Sequence, residues 1–217
     1  MRGFSALIVL VGTGAATAVA TAAPANRPQH VIKPAVEARA KRIAVNVLDL
    51  PGTGWSAEPP ASQSGFAPRC PYYNPDRAKL TENGAYTVSY RGDDGLYVTS
   101  TVEIFSSAKQ GRAAYAAVVQ PLMPRCLGGL SATASRPRGS VRLRSVGPLS
   151  LPRYGDQSTA FRIVFDVEGR KSPARTTLDV VVINRGAAEV ELLFANALKE
   201  RVSSSVERRV AARMAAP

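Results

Sequence analysis

Few residues in this chain could do chemistry, and their spacing narrows what that chemistry would be. The one histidine, His30, sits in APANRPQHVIKP (23–34), a Pro/Ala-rich leader. A mobile leader cannot hold the fixed geometry that a general base needs, so a solvated His30 is expected. No S-x-x-K or G-x-S-x-G pattern supplies a nucleophile that works without histidine. Asp156, Asp166 and Asp179 are the acids from which a carboxylate pair would be built, but nothing in their spacing brings two of them together. Arg91-Gly92-Asp93 spells an integrin-binding tripeptide, and Asp93-Asp94 could offer oxygens to calcium. Both patterns are short, a calcium loop needs more ligands at set spacings, and Asp and Gly are what a tight turn requires. The expectation is a plain turn, no metal and no cofactor.

The meaning of Cys70 and Cys126 depends on where the chain goes. Residues 1–22 read as an export signal: Arg2 is the basic n-region, Phe4 to Val11 the apolar h-region, and Ala18-Val19-Ala20 and Ala20-Thr21-Ala22 are small-residue cleavage patterns. The alternative, an uncleaved anchor, is disfavoured because Gly12 and Gly14 interrupt a run already short of the roughly 20 apolar residues that span a bilayer. No cysteine lies near the cleavage patterns, so a lipid anchor on an N-terminal cysteine is not expected. The mature chain is expected to be secreted, or associated with the cell wall, with at most peripheral membrane contact. Outside the cytoplasm two cysteines are most simply one disulfide, Cys70–Cys126. Two free core thiols are the alternative, and without a C-x-x-C a redox role ranks lower.

Charge bears on the partner. The chain has 217 residues, 28 Lys+Arg against 16 Asp+Glu, a net charge of +12 and a pI of about 10.3. Removing Arg2 with the signal leaves 27 − 16 = +11. Export, and the absence of basic segments interleaved with aromatics, argue against nucleic acid. Arg136, Arg138, Arg142, Arg144 and Arg153 cluster in sequence and form a candidate anion-binding strip. The competing reading is composition, since 22 of the 28 basic residues are arginine in an Ala- and Val-rich chain.

These residues need elements to hold them. A hydrophobic fraction of 45% and this length fit one α+β domain over 35–217. Val36, Ala40, Ile43, Val47 and Leu50 predict a helix over 35–50, ended by Pro51-Gly52. Trp55 follows and is read as a core plug rather than a ligand platform. Residues 85–105 predict a hairpin, with Val98, Ser100, Val102 and Ile104 on one face. Residues 106–125 predict a helix capped by Ser106 or Ser107, with Ala108, Tyr115, Val118, Val119, Leu122 and Met123 as its apolar stripe; Pro121, late in the run, should kink or shorten the last turn. Four strands follow, at Ser140–Ser145, Ser158–Val167, Thr176–Asn184 and Ala188–Ala195. They make an antiparallel meander whose third member, apolar from Val180 to Ile183, is covered on both faces. Leu198–Ala216 predicts a helix on the sheet with a solvated basic face; a membrane- or polyanion-binding helix is the alternative. The sum is an antiparallel sheet of about five to six strands flanked by about three helices, with one disulfide.

LDLPGTGWSAEP (Leu48–Pro59), STVEIFSSAKQGRAAY (Ser100–Tyr115) ahead of Cys126, YGDQSTAFRI (Tyr154–Ile163) and DVVVINRGAAEVELLF (Asp179–Phe194) occur in an order that resembles the secreted sensor-like domains of actinobacteria. That family includes the extracellular domain of the PknH-type mycobacterial receptor kinases. The resemblance implies a helix-flanked antiparallel sheet with a ligand-binding cleft and no established catalysis. The chain departs from the kinase sensors in having one cysteine pair instead of two, and no kinase or transmembrane segment. The expected function is a secreted, non-enzymatic domain that binds an envelope or extracellular ligand, with anionic candidates. The alternative is a secreted hydrolase without a histidine-based site.

Overall fold

Strand alternation along the chain resolves into one eight-stranded sheet in a computed structural model that describes residues 26–59, 70–126, 129, 140–168, 173–195 and 200–216. The export signal, Arg136 and Arg138 lie outside the described residues. The elements in chain order are β1 (Gln29–His30), α1 (Pro34–Ile43), a 3-10 turn (Val47–Asp49), β2 (Trp55–Glu58), β3 (Thr81–Gly92), β4 (Tyr97–Phe105), α2 (Ala108–Val118), β5 (Ser140–Pro148), β6 (Gln157–Glu168), β7 (Pro173–Arg185), β8 (Ala188–Ala195) and α3 (Glu200–Ala215). The strand order is β1-β3-β4-β8-β7-β6-β5, with β2 also paired to β3. All pairings are antiparallel except β1 with β3, which makes the sheet mixed. Two strands more than expected arise from β1 and β2, which at two and four residues are too short for a period of two to show.

Within the segment 23–34, read as a flexible leader, residues 29–33 are instead paired with the sheet. The Gln29, Val31 and Lys33 amides donate to the Leu80, Glu82 and Asn83 carbonyls at 2.8, 2.9 and 2.8 Å. His30 is therefore fixed on the sheet edge, with Nδ1 3.1 Å from Glu82 Oε1.

Helix α1 begins at Pro34, where a missing N–H is harmless, and carries Glu37 in its first turn and Lys41 and Arg42 in its last. It stops at Ile43, short of the expected Leu50, because polar side chains take over the backbone. The Asn46 side chain accepts from the Leu48 amide and Asp49 Oδ2 accepts from the Asn46 amide, both at 2.9 Å, which closes a separate 3-10 turn. Gly84, at a bulge in β3, lies against α1: a Cβ there would sit 2.7 Å from the Glu37 nitrogen, so only glycine admits the contact.

The two hairpin turns follow their sequence signals. Asp94 Oδ1 accepts from the Leu96 amide at 3.0 Å, so Asp93-Asp94-Gly95 is a turn between β3 and β4. Gly186, at φ +57, turns β7 into β8, and its amide donates to Asp156 Oδ2 at 2.8 Å. Ser107 caps α2 by accepting from the Gln110 amide at 3.3 Å. α2 ends at Val118, three residues before Pro121, and so is shorter than 106–125. Within the expected stripe Tyr115, Val118 and Met123 are buried, whereas Ala108 and Leu122 are exposed.

The sheet is covered on both sides. On one face Val98, Val102, Ile104, Val181, Ile183, Val190, Leu192 and Phe194 pack with Ala40 and Ile43 of α1 and Val206, Val210 and Met214 of α3. On the other, Ile163, Phe165, Val180 and Val182 pack with Tyr115 of α2 and with Tyr73, Met123 and Cys126 around the disulfide. Val180 to Ile183 are fully buried, as expected of a strand covered on both faces. Trp55 is half-buried against the first of these cores, and its Nε1 donates to the Pro51 carbonyl at 2.8 Å.

The basic side of α3 does more than face solvent. Arg213 donates to Asp49 Oδ1 and Oδ2 at 2.9 and 2.7 Å and to the Ile43 and Ala44 carbonyls at 3.2 and 2.9 Å. One guanidinium thus closes the C-terminus of α1 onto α3. Arg213→Ala would leave the buried Asp49 carboxylate without this partner and should cost about 1–3 kcal/mol in urea denaturation. Arg213→Lys should recover little of that, because an ammonium cannot reproduce the fork.

Candidate functional site

The largest departure from ordinary protein interiors lies on the α2 face of the sheet. Along β8 the sequence alternates, so Val190 and Leu192 point to the α1 and α3 core while Glu189 and Glu191 point the other way. On β4, Glu103 is the cross-strand partner of Glu189, and Thr101 is the partner of Glu191. All three carboxylates lie under the cover formed by α2 and the disulfide region, each no more than 3% exposed.

One cation serves them. Arg77, 2% exposed, donates from Nη2 to Glu103 Oε2 at 2.5 Å and from Nη1 to Oε1 at 3.4 Å. Its Nη2 is 3.6 Å from Glu189 Oε1, and its guanidinium lies 5.2 Å over the Phe105 ring. The segment that carries it is held by the Arg77 amide, which donates to the Asn26 carbonyl at 3.1 Å. Tyr73, on the same segment, donates its hydroxyl to the Val118 carbonyl at the end of α2 at 2.6 Å. Both oxygens of Glu189 and of Glu191 are buried without a hydrogen-bond partner, as is Arg77 Nε.

Three carboxylates against one guanidinium in a buried site cannot all ionise cheaply. Burial pushes Glu189 up to about 8, with Glu103 adding to the rise and Arg77 opposing it. Burial raises Glu191 well above the ordinary glutamate range, helped by repulsion from Glu189 and Glu103. Glu82, on β3, is raised by burial and by Glu103, with His30 pulling it back. Burial also raises Tyr73 and Tyr115. For Arg77 burial favours the neutral form, but Glu103, Glu189 and Glu191 outweigh it and hold the guanidinium charged.

A carboxyl raised in the folded state binds protons on folding. Its contribution is fully present below the unfolded value of 4.5 and is lost as pH climbs to about 8 for Glu189. Stability should therefore fall between pH 5 and pH 8 by an amount on the order of a few kcal/mol. Glu189→Gln, which keeps the shape of the neutral form, should flatten that slope in urea denaturation series at fixed pH. An unchanged slope in the variant would remove Glu189 from the account.

Raised carboxyls are general-acid chemistry in principle, but a general acid must touch its substrate, and these side chains are covered. The acids noted in the sequence are placed elsewhere. Asp179, fully buried, takes Arg162 through Nε and Nη2, both at 2.7 Å. Asp166 meets Arg144 at 3.3 Å and Arg175 at 3.5 Å, and Asp156 serves the Gly186 turn. None of the three forms a carboxylate pair with another.

Of the arginine strip, Arg142 and Arg144 come together. Arg142 lies opposite Asp166 across β5 and β6, on the α1 and α3 side of the sheet, and Arg144 reaches the same carboxylate. The tertiary structure adds Arg162 and Arg175 to that surface, giving four guanidinium groups against Asp166 and Asp179. Arg142, Arg144 and Arg175 are exposed. Arg153 is not part of this group and donates to the Asp156 carbonyl at 3.3 Å.

The cysteines are joined: Cys70 and Cys126 form a disulfide with Cα atoms 5.8 Å apart. Among the described residues no helix is long and apolar enough to cross a membrane, and no His/Cys/Asp/Glu group is arranged to hold a metal. Arg77, Glu103, Glu189 and Glu191 escaped sequence reading because each looks like a solvated residue: three are the polar partners in alternating strands and one lies in a loop.

No family model and no curated protein matches the chain. Among solved structures, the extracellular domain of PknH from Mycobacterium tuberculosis superposes with a TM-score of 0.49 and 11% identity, covering 84% of this chain and 97% of that one.

Proposed function

We propose that the chain is an exported, non-enzymatic binding domain whose ligand or partner in the cell envelope or extracellular space carries anionic groups. Membership in the secreted sensor-like family belongs to the same proposal and rests on the four motifs quoted above. The observation that carries the ligand class is the outer end of the α1 and α3 face. Among the described side chains there, Arg142, Arg144, Arg162 and Arg175 outnumber Asp166 and Asp179, and three of the four arginines are exposed. Guanidinium groups on a flat strand surface suit phosphate or carboxylate groups, which they bind in bidentate fashion. The non-enzymatic reading is supported by the engagement of each candidate acid with its own partner and by the cover over the raised carboxyls. A structural disulfide fits an oxidising compartment.

Linear polyphosphate is a suitable probe. The mature, oxidised protein should bind it with an affinity that falls as salt rises, because exposed charges are screened. Arg142→Ala, Arg144→Ala and Arg175→Ala combined should weaken binding by about tenfold or more, that is about 1.4 kcal/mol or more. Arg208→Ala with Arg209→Ala on α3 should change it little. Equal weakening by the two sets, or no binding by the parent at low salt, would overturn the proposed surface.

A further inference from the structure

We propose that the C-terminal half of α2 with the residues up to Cys126, and the Cys70–Tyr73 segment joined to it through the Cys70–Cys126 disulfide, form a proton-dependent lid that seats on the sheet while Glu189 and Glu191 are protonated and lifts to admit water when they ionise. Glu189 and Glu191 stand on a central strand, 1% and 2% exposed, and none of their four oxygens has a donor. A neutral carboxyl can be tolerated in such a place; a carboxylate needs donors or water.

The charged and titratable groups around them come from every element that packs there. β4 contributes Glu103, the Cys70–Arg77 segment contributes Arg77 and Tyr73, and α2 contributes Tyr115. β3 contributes Glu82, which His30 of β1 faces at 3.1 Å. Among the described residues Arg77 is the cation of the cluster; it is bound to Glu103, with Glu189 Oε1 3.6 Å from its Nη2. Ionising Glu189 and Glu191 would therefore set three carboxylates against one guanidinium. Hydration is the available relief. It requires movement of the cover, because the sheet beneath is fixed by strand pairing on both sides of β8.

The cover can move as a unit. Tyr73, Tyr115, Met123 and Cys126 meet the sheet by side-chain packing, and these parts are joined by the disulfide and by the Tyr73–Val118 hydrogen bond. The start of α2 stays tied to β3, where Gln110 Oε1 accepts from the Thr81 amide at 2.7 Å, and Arg77 stays on Glu103. Lifting it would uncover Ile163, Phe165, Val180 and Val182 together with the glutamates. The result is an apolar surface that appears on loss of protons.

Hydrogen exchange of the oxidised protein tests this, with each amide normalised to its intrinsic rate at the same pH. Between pH 6 and pH 9 the Tyr73, Met123 and Cys126 amides should lose protection by about tenfold or more, while amides in the β6–β7 ladder keep theirs. Glu189→Gln with Glu191→Gln should abolish the loss. Should the double variant fail to fold, the carboxyl carbon resonances of Glu189 and Glu191 in the parent protein answer the same question. Midpoints near or above pH 7 support the lid, and midpoints below pH 5.5 overturn it. It is also overturned if protection is lost equally across the whole sheet, if no loss occurs by pH 9, or if the double variant loses protection as the parent does.

Discussion

Arg77→Met should destabilise the protein by about 3–5 kcal/mol at neutral pH, the largest effect expected of any single substitution here. The reason is the asymmetry between building a buried ion pair and breaking one: removal of one partner leaves the other buried and uncompensated. Arg77 is the cation shared by Glu103 and Glu189, and all three are at most 3% exposed. Without it the cluster must either hold an uncompensated buried carboxylate or take up a proton. Taking up a proton costs about 1.4 kcal/mol for each pH unit above the ordinary glutamate range, so the damage should grow with pH. Urea denaturation at pH 5 and pH 8 should show the larger loss at pH 8. A loss of the same size at both would mean that Arg77 matters for packing over Phe105 and not for its charge. Arg77→Met combined with Glu103→Met should recover much of the deficit, since replacing both partners of a buried pair with apolar residues is often neutral.

Reduction of Cys70–Cys126 should cost roughly 4 kcal/mol, from the loop-closure entropy of a 56-residue separation. The bond joins the segment of Tyr73 and Arg77 to the end of the α2 region, and Cys126 is buried beside Met123 in the core on that face. Its loss should therefore fall on the cover before the rest of the sheet. In guanidinium denaturation with and without reductant, the reduced protein should unfold at a clearly lower midpoint. Cys70→Ser with Cys126→Ser should match reduction without reductant. A stability loss of less than about 1 kcal/mol would show that the cover holds without the cross-link.

These two effects converge on residues that differ in how legible they were. Cys70 and Cys126 could be paired from sequence because export and number leave few options. The helix over 106–125, the β3–β4 hairpin and the four-strand meander were likewise readable from period and turn chemistry. The end of α1 was not: Asn46 and Asp49 cut it short by competing for backbone amides. For α2, Pro121 signalled a shortened last turn, and the helix ends at Val118. His30 was read as a solvated tail because nothing local shows that Gln29–His30 will find the edge of β3 more than 50 residues away. The arginine strip was half legible. Arg142 and Arg144 share an edge strand, but Arg162 and Arg175 join them only through pairing of β5, β6 and β7.

The buried acids mark the boundary most clearly. The segment AEVELLFA alternates apolar and acidic residues, and a strand with that pattern ordinarily turns its acids to water. By itself the sequence determined that Glu189 and Glu191 share a face opposite Val190 and Leu192, because side chains on a strand alternate with a period of two. It also determined the basic charge, the cysteine pair and the order of the elements. Only the tertiary structure decided that β8 lies between β4 and β7 with both faces covered, so that the acidic face meets α2 and the disulfide instead of solvent. Pattern is a local property of the backbone; burial depends on which distant segments pack above it, and the same alternating strand has raised carboxyls or ordinary ones according to that cover.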